Sequence, residues 1–314
     1  MFEVIFLGTS ASAPSVYRGL SAQIVIHNEH RFLVDCGEGT QRQILKSGLG
    51  FKRLNKILIT HSHLDHILGL GGLLSTLMRW EAMEEMEIFA GRWAMRRIYD
   101  LLHGVVLRGA QPPVPLHLRE IEPGILFQDD DFTVSAFPVD HRSADCYGFL
   151  FEEKTRRPFL PEKAEALDVP PGPWRRDLVL GQAVSLPDGR AIEPDQVLGP
   201  PRPGTRFVHI GDVGRTDNLN DICRDADALA IESTYLDDEA ELADTFAHMT
   251  ARRVAEFAQN AGVKHLLLTH ISRRYRERDV IEEARSVFPN SYVVRDFDHF
   301  QVKRGECVKV EGES

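Results

Sequence analysis

Short runs of apolar and β-branched residues alternate with helix-like stretches along most of this chain, and no other feature restricts its fold as much. A run too short for a buried helix but rich in Val, Ile, Leu and Phe reads as a strand. Strands separated by helices build an α/β architecture. Strands are expected at Val4–Leu7, Gln23–Ile26, Arg31–Val34 and Lys56–Thr60. Helices are expected at Gly37–Arg42, Ile67–Met78 and Thr250–Gln259, the last capped by Thr250 and followed by the apolar run Lys264–Thr269.

One stretch breaks this rhythm. Arg156–Gly204 is rich in Pro and Gly, with Pro170-Pro171-Gly172-Pro173 near its middle and Pro200-Pro201-Arg202-Pro203-Gly204 at its end. Such residues interrupt regular elements, so residues 155–204 are expected to form a flexible, loop-like arm inserted in a single domain that spans 1–314. The hydrophobic fraction, 43%, is ample for a packed core and excludes a disordered chain. Apolar runs reach only about six residues, against the roughly 20 that span a bilayer, and the first residues form no secretory signal; a cytoplasmic protein is expected. Cys36, Cys146, Cys223 and Cys307 form no C-x-x-C pair and read as buried thiols. The net charge of −10 gives a nucleic-acid partner no global support, leaving only a local basic patch to serve one.

The chemistry is concentrated in Thr60-His61-Ser62-His63-Leu64-Asp65-His66, directly after the apolar run Ile57-Leu58-Ile59. Three imidazoles and a carboxylate at that density form a ligand set suited to zinc. Functional groups of α/β folds gather beyond the carboxyl ends of strands. Three further candidates stand there: His141 after Phe132–Val139, Asp212 after Phe207–Gly211, and His270 after His265–Thr269. A lone histidine at a strand end is more often structural than a ligand; the coincidence of all three with the cluster is what carries the argument.

The H-x-H-x-D-H pattern at His61–His66 resembles that of the metallo-β-lactamase fold hydrolases. Four further segments, Phe6-Leu7-Gly8-Thr9-Ser10, Asp35-Cys36-Gly37-Glu38-Gly39-Thr40-Gln41, Gly69–Leu74 and His270-Ile271-Ser272-Arg273-Arg274-Tyr275, resemble the ribonuclease Z family, endonucleases that trim the 3′ trailer of precursor tRNA. The resemblance implies a four-layer αββα sandwich, a homodimer, and two zinc ions per chain, with manganese or iron as alternatives. His61, His63 and His141 would hold one ion, Asp65, His66 and His270 the other, and Asp212 would bridge them. The reaction implied is metal-hydroxide attack on a phosphodiester that leaves a 3′-hydroxyl, with Asp65 orienting the water.

The same resemblance assigns protonation of the leaving oxygen to His248, tuned by Glu232; an imidazole beside a carboxylate suits that task. Thr9, Ser10 and Arg274 are the candidates for substrate-phosphate contact, Arg because its planar fork engages two oxygens, while for Thr9 and Ser10 a plain strand-to-turn role fits equally. The arm matches the family's tRNA-binding exosite through Pro170–Pro173. Three departures from the family pattern are Ser12, Met249 and the acidic segment 79–87 around Trp80. They leave room for hydrolysis of another phosphodiester, a sulfate ester or a lactam; an alternative of another class is a non-catalytic metal-binding RNA-interaction protein.

Overall fold

The first strand shows how the chain layers itself. In β1 (Phe2–Gly8), Phe2, Val4 and Phe6 enter one core and Ile5 and Leu7 another, because successive side chains of a strand point to opposite faces. The computed structural model describes residues 1–77, 83–112, 114–142 and 145–311. Met78, the expected end of one helix, and Trp80 lie outside the described residues.

The chain forms two compact units, residues 1–152 with 205–314, and residues 153–204. In the first unit the strands are β1, β2 (Ala22–His27), β3 (His30–Val34), β4 (Lys56–Leu58), β5 (Met86–Ala90), β6 (Leu116–Glu120), β7 (Gly124–Gln128), β8 (Phe132–Val139) and β9 (Cys146–Glu153). After the second unit, which holds β10 (Val184–Ser185) and β11 (Ala191–Ile192), come β12 (Arg206–Ile210), β13 (Ala228–Glu232), β14 (Leu266–Thr269), β15 (Ser291–Val293), β16 (His299–Lys303) and β17 (Glu306–Val310). One sheet has the order β17-β16-β1-β2-β3-β4-β5-β6 and the other β15-β14-β13-β12-β9-β8-β7.

Between the sheets lies an aromatic core that includes Phe2, Phe6, Phe32, Phe132, Phe149, Phe151 and Phe207. On the outer face of the first sheet, Ile24, Leu33 and Ile57 pack with Ile44 of α1 (Thr40–Lys46), Ile67 of α2 (Leu64–Ile67), Leu70 and Leu73 of α3 (Leu70–Leu77) and Ile98 of α4 (Arg92–Tyr99). A π-helix, Asp100–Leu107, continues from α4. On the outer face of the second sheet, Val208, Ile231 and Leu268 pack against helices that follow β12. The layers are therefore helix, sheet, sheet, helix, as the sequence resemblance implies.

The second unit corrects the loop-like arm expected from composition. Residues 153–204 carry α5 (Pro161–Ala166), α6 (Pro173–Val179), α7 (Pro194–Val197) and the β10–β11 pair around their own core of Ala164, Val169, Leu178, Ile192 and Val197. Each helix has Pro in its first turn, where the missing N–H would have had no intrahelical partner. Proline here starts helices.

The remaining helices belong to the first unit: α8 (Asn220–Cys223), α9 (Ala240–Phe246), α10 (Ala251–Asn260) and α11 (Glu277–Arg285). Thr250 caps α10 by accepting from the Arg253 N–H at 3.2 Å. The expected Gly37–Arg42 helix begins later, at Thr40, because Gly39 has φ 85° and stands before the first turn. All four cysteines are buried and free.

Candidate metal centre

The site is built at strand ends. β4 runs parallel to β3 and β5 and delivers His61 and His63; β12, β13 and β14 run parallel to one another and deliver Asp212, Glu232 and His270. His63 is the residue preceding α2, and Asp65 and His66 lie in that helix. Beneath α2 the chain passes so closely that a Cβ on Gly37 would sit 2.4 Å from the Asp65 carbonyl oxygen.

Asp212 stands at the centre. Its Oδ2 lies 3.5 Å from His61 Nε2 and 3.7 Å from His141 Nε2, while its Oδ1 lies 3.4 Å from His66 Nε2 and 3.3 Å from His270 Nε2. One carboxylate thus turns one oxygen to each half of the cluster. Asp65 Oδ2 lies 3.5 Å from His270 Nε2 and 3.8 Å from His66 Nε2. His61, His63, His141 and Asp212 form one group whose ligating atoms lie within 4.8 Å of one another, and Asp65, His66 and His270 form a second.

The other nitrogen of each buried imidazole is already engaged. Thr60 donates its hydroxyl to Asp35 Oδ2 at 2.8 Å and accepts from His61 Nδ1 at 3.0 Å. His66 Nδ1 donates to Asp35 Oδ2 at 2.7 Å, and His141 Nδ1 donates to the Ala247 carbonyl at 2.8 Å. Thr234 donates to Glu232 Oε2 at 2.5 Å and accepts from His270 Nδ1 at 2.9 Å. Fixing Nδ1 as the protonated nitrogen aims each Nε2 lone pair into the cluster. The Nε2 atoms of His61, His66, His141 and His270 and Asp212 Oδ1 are buried without hydrogen-bond partners. Orphaned buried acceptors are costly, and a cation resolves them together, so this donor set fits divalent metal.

Burial by itself would raise the Asp212 carboxyl, but the imidazoles of His270, His66 and His61 overcome it and hold the group well below the carboxylate range. Burial and the neighbouring His66 push His61 well below the ordinary imidazole value. His248 goes the other way: burial opposes its charge, yet Glu232 raises it to about 9. Glu232 Oε1 accepts from His248 Nδ1 and from the Val213 N–H, each at 2.7 Å, while its Oε2 takes the Thr234 hydroxyl. The His248 ring lies 5.2 Å from that of His141 and 5.6 Å from that of His270, so it flanks the cluster.

Against this geometry the comparisons with known proteins are specific. A beta-lactamase superfamily domain matches residues 197–271, and the family described as Anti-Pycsar protein Apyc1 matches residues 2–157. A metallo-beta-lactamase fold protein from Bacillus subtilis superposes with a TM-score of 0.68 at 16% identity, covering 96% of this chain and all of that one, and so shares the fold. A Ribonuclease Z of Bradyrhizobium diazoefficiens is 44% identical over 302 residues, 96% of this chain and 100% of the relative. The chain belongs to the ribonuclease Z family. The human short-form tRNase Z structure agrees, with a TM-score of 0.67 and 26% identity over 96% of this chain and 99% of that one. As a member of the ribonuclease Z family the chain is a metal-dependent hydrolase of the endoribonuclease type.

The structure brings together all seven expected ligands with Glu232 and His248. It treats the three expected substrate contacts differently. Thr9 and Ser10 are buried, with the Thr9 hydroxyl bonded to Asp296 at 2.8 Å and the Ser10 hydroxyl to the Ala13 carbonyl at 2.7 Å. Both hydroxyls bond to other groups of the protein, as a strand-to-turn role requires. Arg274 is exposed but paired to Glu239 at 2.5 Å, which also accepts from the Tyr275 hydroxyl. The Ser12 N–H donates to Asp65 Oδ2 at 3.0 Å, so the first loop reaches the cluster through its backbone. Sequence reasoning missed Asp35, Thr60 and Thr234 as partners of the ligands. Asp35 and Thr60 lie inside quoted motifs, and Thr234 stands two residues beyond Glu232; an acid or hydroxyl so close to a ligand segment is the signal that was there to read.

Proposed function

We propose that this protein is a zinc-dependent endoribonuclease that removes the 3′ trailer of precursor tRNA and leaves a 3′-hydroxyl. The observation that carries the reading is the joint presence of a shared carboxylate, Asp212, and a buried carboxylate–imidazole pair, Glu232 and His248, at one sheet edge in a chain 44% identical to a Ribonuclease Z. His61, His63 and His141 would hold one ion, Asp65, His66 and His270 the other, and Asp212 both; manganese or iron would satisfy the same donors. Such ions supply Lewis-acid charge for the phosphoryl oxygens and a water acidic enough to act at neutral pH.

The rest is done by the chain itself. Asp65, anionic beside His66 and His270, orients the attacking water by accepting a hydrogen bond from it. Glu232 keeps His248 protonated, with Nδ1 held by the carboxylate and Nε2 left to give its proton to the departing 3′ oxygen. Residues 153–204, with Pro170–Pro173 and the cations Lys163, Arg175 and Arg176, serve as the tRNA-binding exosite. Leu64, Leu68, Trp93, Tyr99 and Val105, exposed on or beside α2, α4 and the π-helix, support a homodimer. Among the described residues no helix is long and apolar enough to cross a membrane, and the proposed location is the cytoplasm. Incubation of the zinc-loaded protein with precursor tRNA, followed by mapping of the cut and of both new ends, tests the reading. A cut after the discriminator base with a 3′-hydroxyl is expected; an intact precursor, or a 3′-phosphate product, would overturn it.

A further inference from the structure

We propose that Arg142, stacked on Phe246, is a phosphate-binding residue of the substrate site. The inference deepens the ribonuclease reading and rests on it, adding a residue that grips the polyanion beside the proton donor.

Arg142 follows His141 directly, and the 2.8 Å bond from His141 Nδ1 to the Ala247 carbonyl ties that segment to the end of α9. Phe246 immediately precedes Ala247, and the Arg142 guanidinium lies 5.2 Å from the centroid of its ring. Ala247 adopts φ 51° and closes α9, so that Phe246 stays at the surface, 36% exposed, while His248 turns inward to Glu232. Arg142 therefore stands next in the chain to His141, and its guanidinium stacks on a ring two residues before His248.

Three other cations of the first unit are neutralised: Arg274 by Glu239 at 2.5 Å, Arg215 by Asp217 at 2.9 Å, and Arg18 by Glu277 at 2.5 Å. Among the described residues Arg142 is paired with a ring and with no carboxylate. Stacking occupies one face of the guanidinium and leaves its edge N–H groups to engage two oxygens of one phosphate. A cavity of about 390 Å³ opens beside His141 and Arg142 itself lines it, but so do Asp140 and Asp145, whose carboxylates repel a polyanion there. The phosphate is accordingly placed on the His248 side, at or next to the scissile linkage.

The test compares wild type, R142A, R142K and F246L as zinc-loaded full chains, on precursor tRNA and on bis(p-nitrophenyl) phosphate, at several salt concentrations. R142A is expected to raise KM on both substrates roughly tenfold, as for a lost charge-assisted hydrogen bond, while kcat falls less. Its salt dependence for precursor tRNA should flatten by about one unit of slope. R142K should restore the slope but only part of KM, because it keeps the charge without the fork. F246L should raise KM mildly with the slope intact, and zinc content should match wild type throughout. Unchanged KM and slope in R142A, or a loss confined to kcat, would overturn the proposal. Should R142A lose zinc or fail to fold, R142K carries the test, and a wild-type KM there removes the bidentate grip. If wild type cleaves the small diester but not precursor tRNA, the ribonuclease reading fails, and Arg142 is judged on the KM for the small diester.

Discussion

Replacing His248 with Ala should slow cleavage of precursor tRNA far more than it weakens binding of that RNA. His248 is buried against the cluster, its Nδ1 is committed to Glu232 at 2.7 Å, and the positive charge is favoured to about pH 9. Nε2 is thus the one atom able to give a proton, and deletion removes the general acid outright. Such a loss costs about 10²–10⁴-fold in rate, roughly 3–5 kcal/mol of barrier. Single-turnover rates on precursor tRNA are to be set beside rates on bis(p-nitrophenyl) phosphate, whose leaving group departs unprotonated. The variant should be crippled on the first and near wild type on the second.

A pH profile sharpens the same argument. The folded-state value is raised, so the active, protonated form persists above the ordinary histidine range and is lost as pH rises through the shifted value. Glu232→Gln keeps an acceptor for Nδ1–H but removes the charge, and should move this alkaline fall of kcat to lower pH. Equal losses on both substrates for His248→Ala, with an unmoved alkaline limb in Glu232→Gln, would refute the proton-donor role.

Three further outcomes are expected. Elemental analysis should find two ions per chain in wild type, fewer than one in Asp212→Ala and one in His141→Ala, since the Asp212 oxygens face both halves of the cluster whereas His141 belongs to one. Thr234→Val removes the hydroxyl that joins His270 to Glu232 and should weaken metal affinity by about 10–100-fold, read by competition with a chelator; wild-type affinity would show that the hydroxyl does not orient the ligand. Deleting residues 155–203 should leave turnover of a small diester intact while precursor tRNA is cleaved poorly, because remote binding energy is lost and the chemistry is kept; tRNA cleavage at the wild-type rate would sink the exosite.

How much of this was legible depends on how far apart the partners lie in the chain. His61, His63, Asp65 and His66 are close enough in sequence to declare themselves, and the apolar runs before Asp212 and His270 mark strand ends. The layered α/β fold follows from short continuous apolar runs, which dictate two buried faces for strands such as β1 and β14, separated by helix-like stretches. The arm was misread because Pro marks both a break and the first turn of a helix, and only a packed core around Ala164, Leu178 and Val197 selects the second.

Side-chain occupancy was beyond the sequence altogether. The hydroxyl of Thr9 is bound by Asp296, 287 positions away, and the guanidinium of Arg274 by Glu239, so residues of the right type for phosphate are engaged elsewhere. Likewise the sequence marks Asp212 as a candidate ligand, but that its two oxygens face opposite halves of the cluster is decided where the end of β12 meets the loop after β4. Ligand identity is a property of residue type and spacing and is written locally. The direction of each lone pair is a property of the packing of distant strands, so tertiary structure alone decides it.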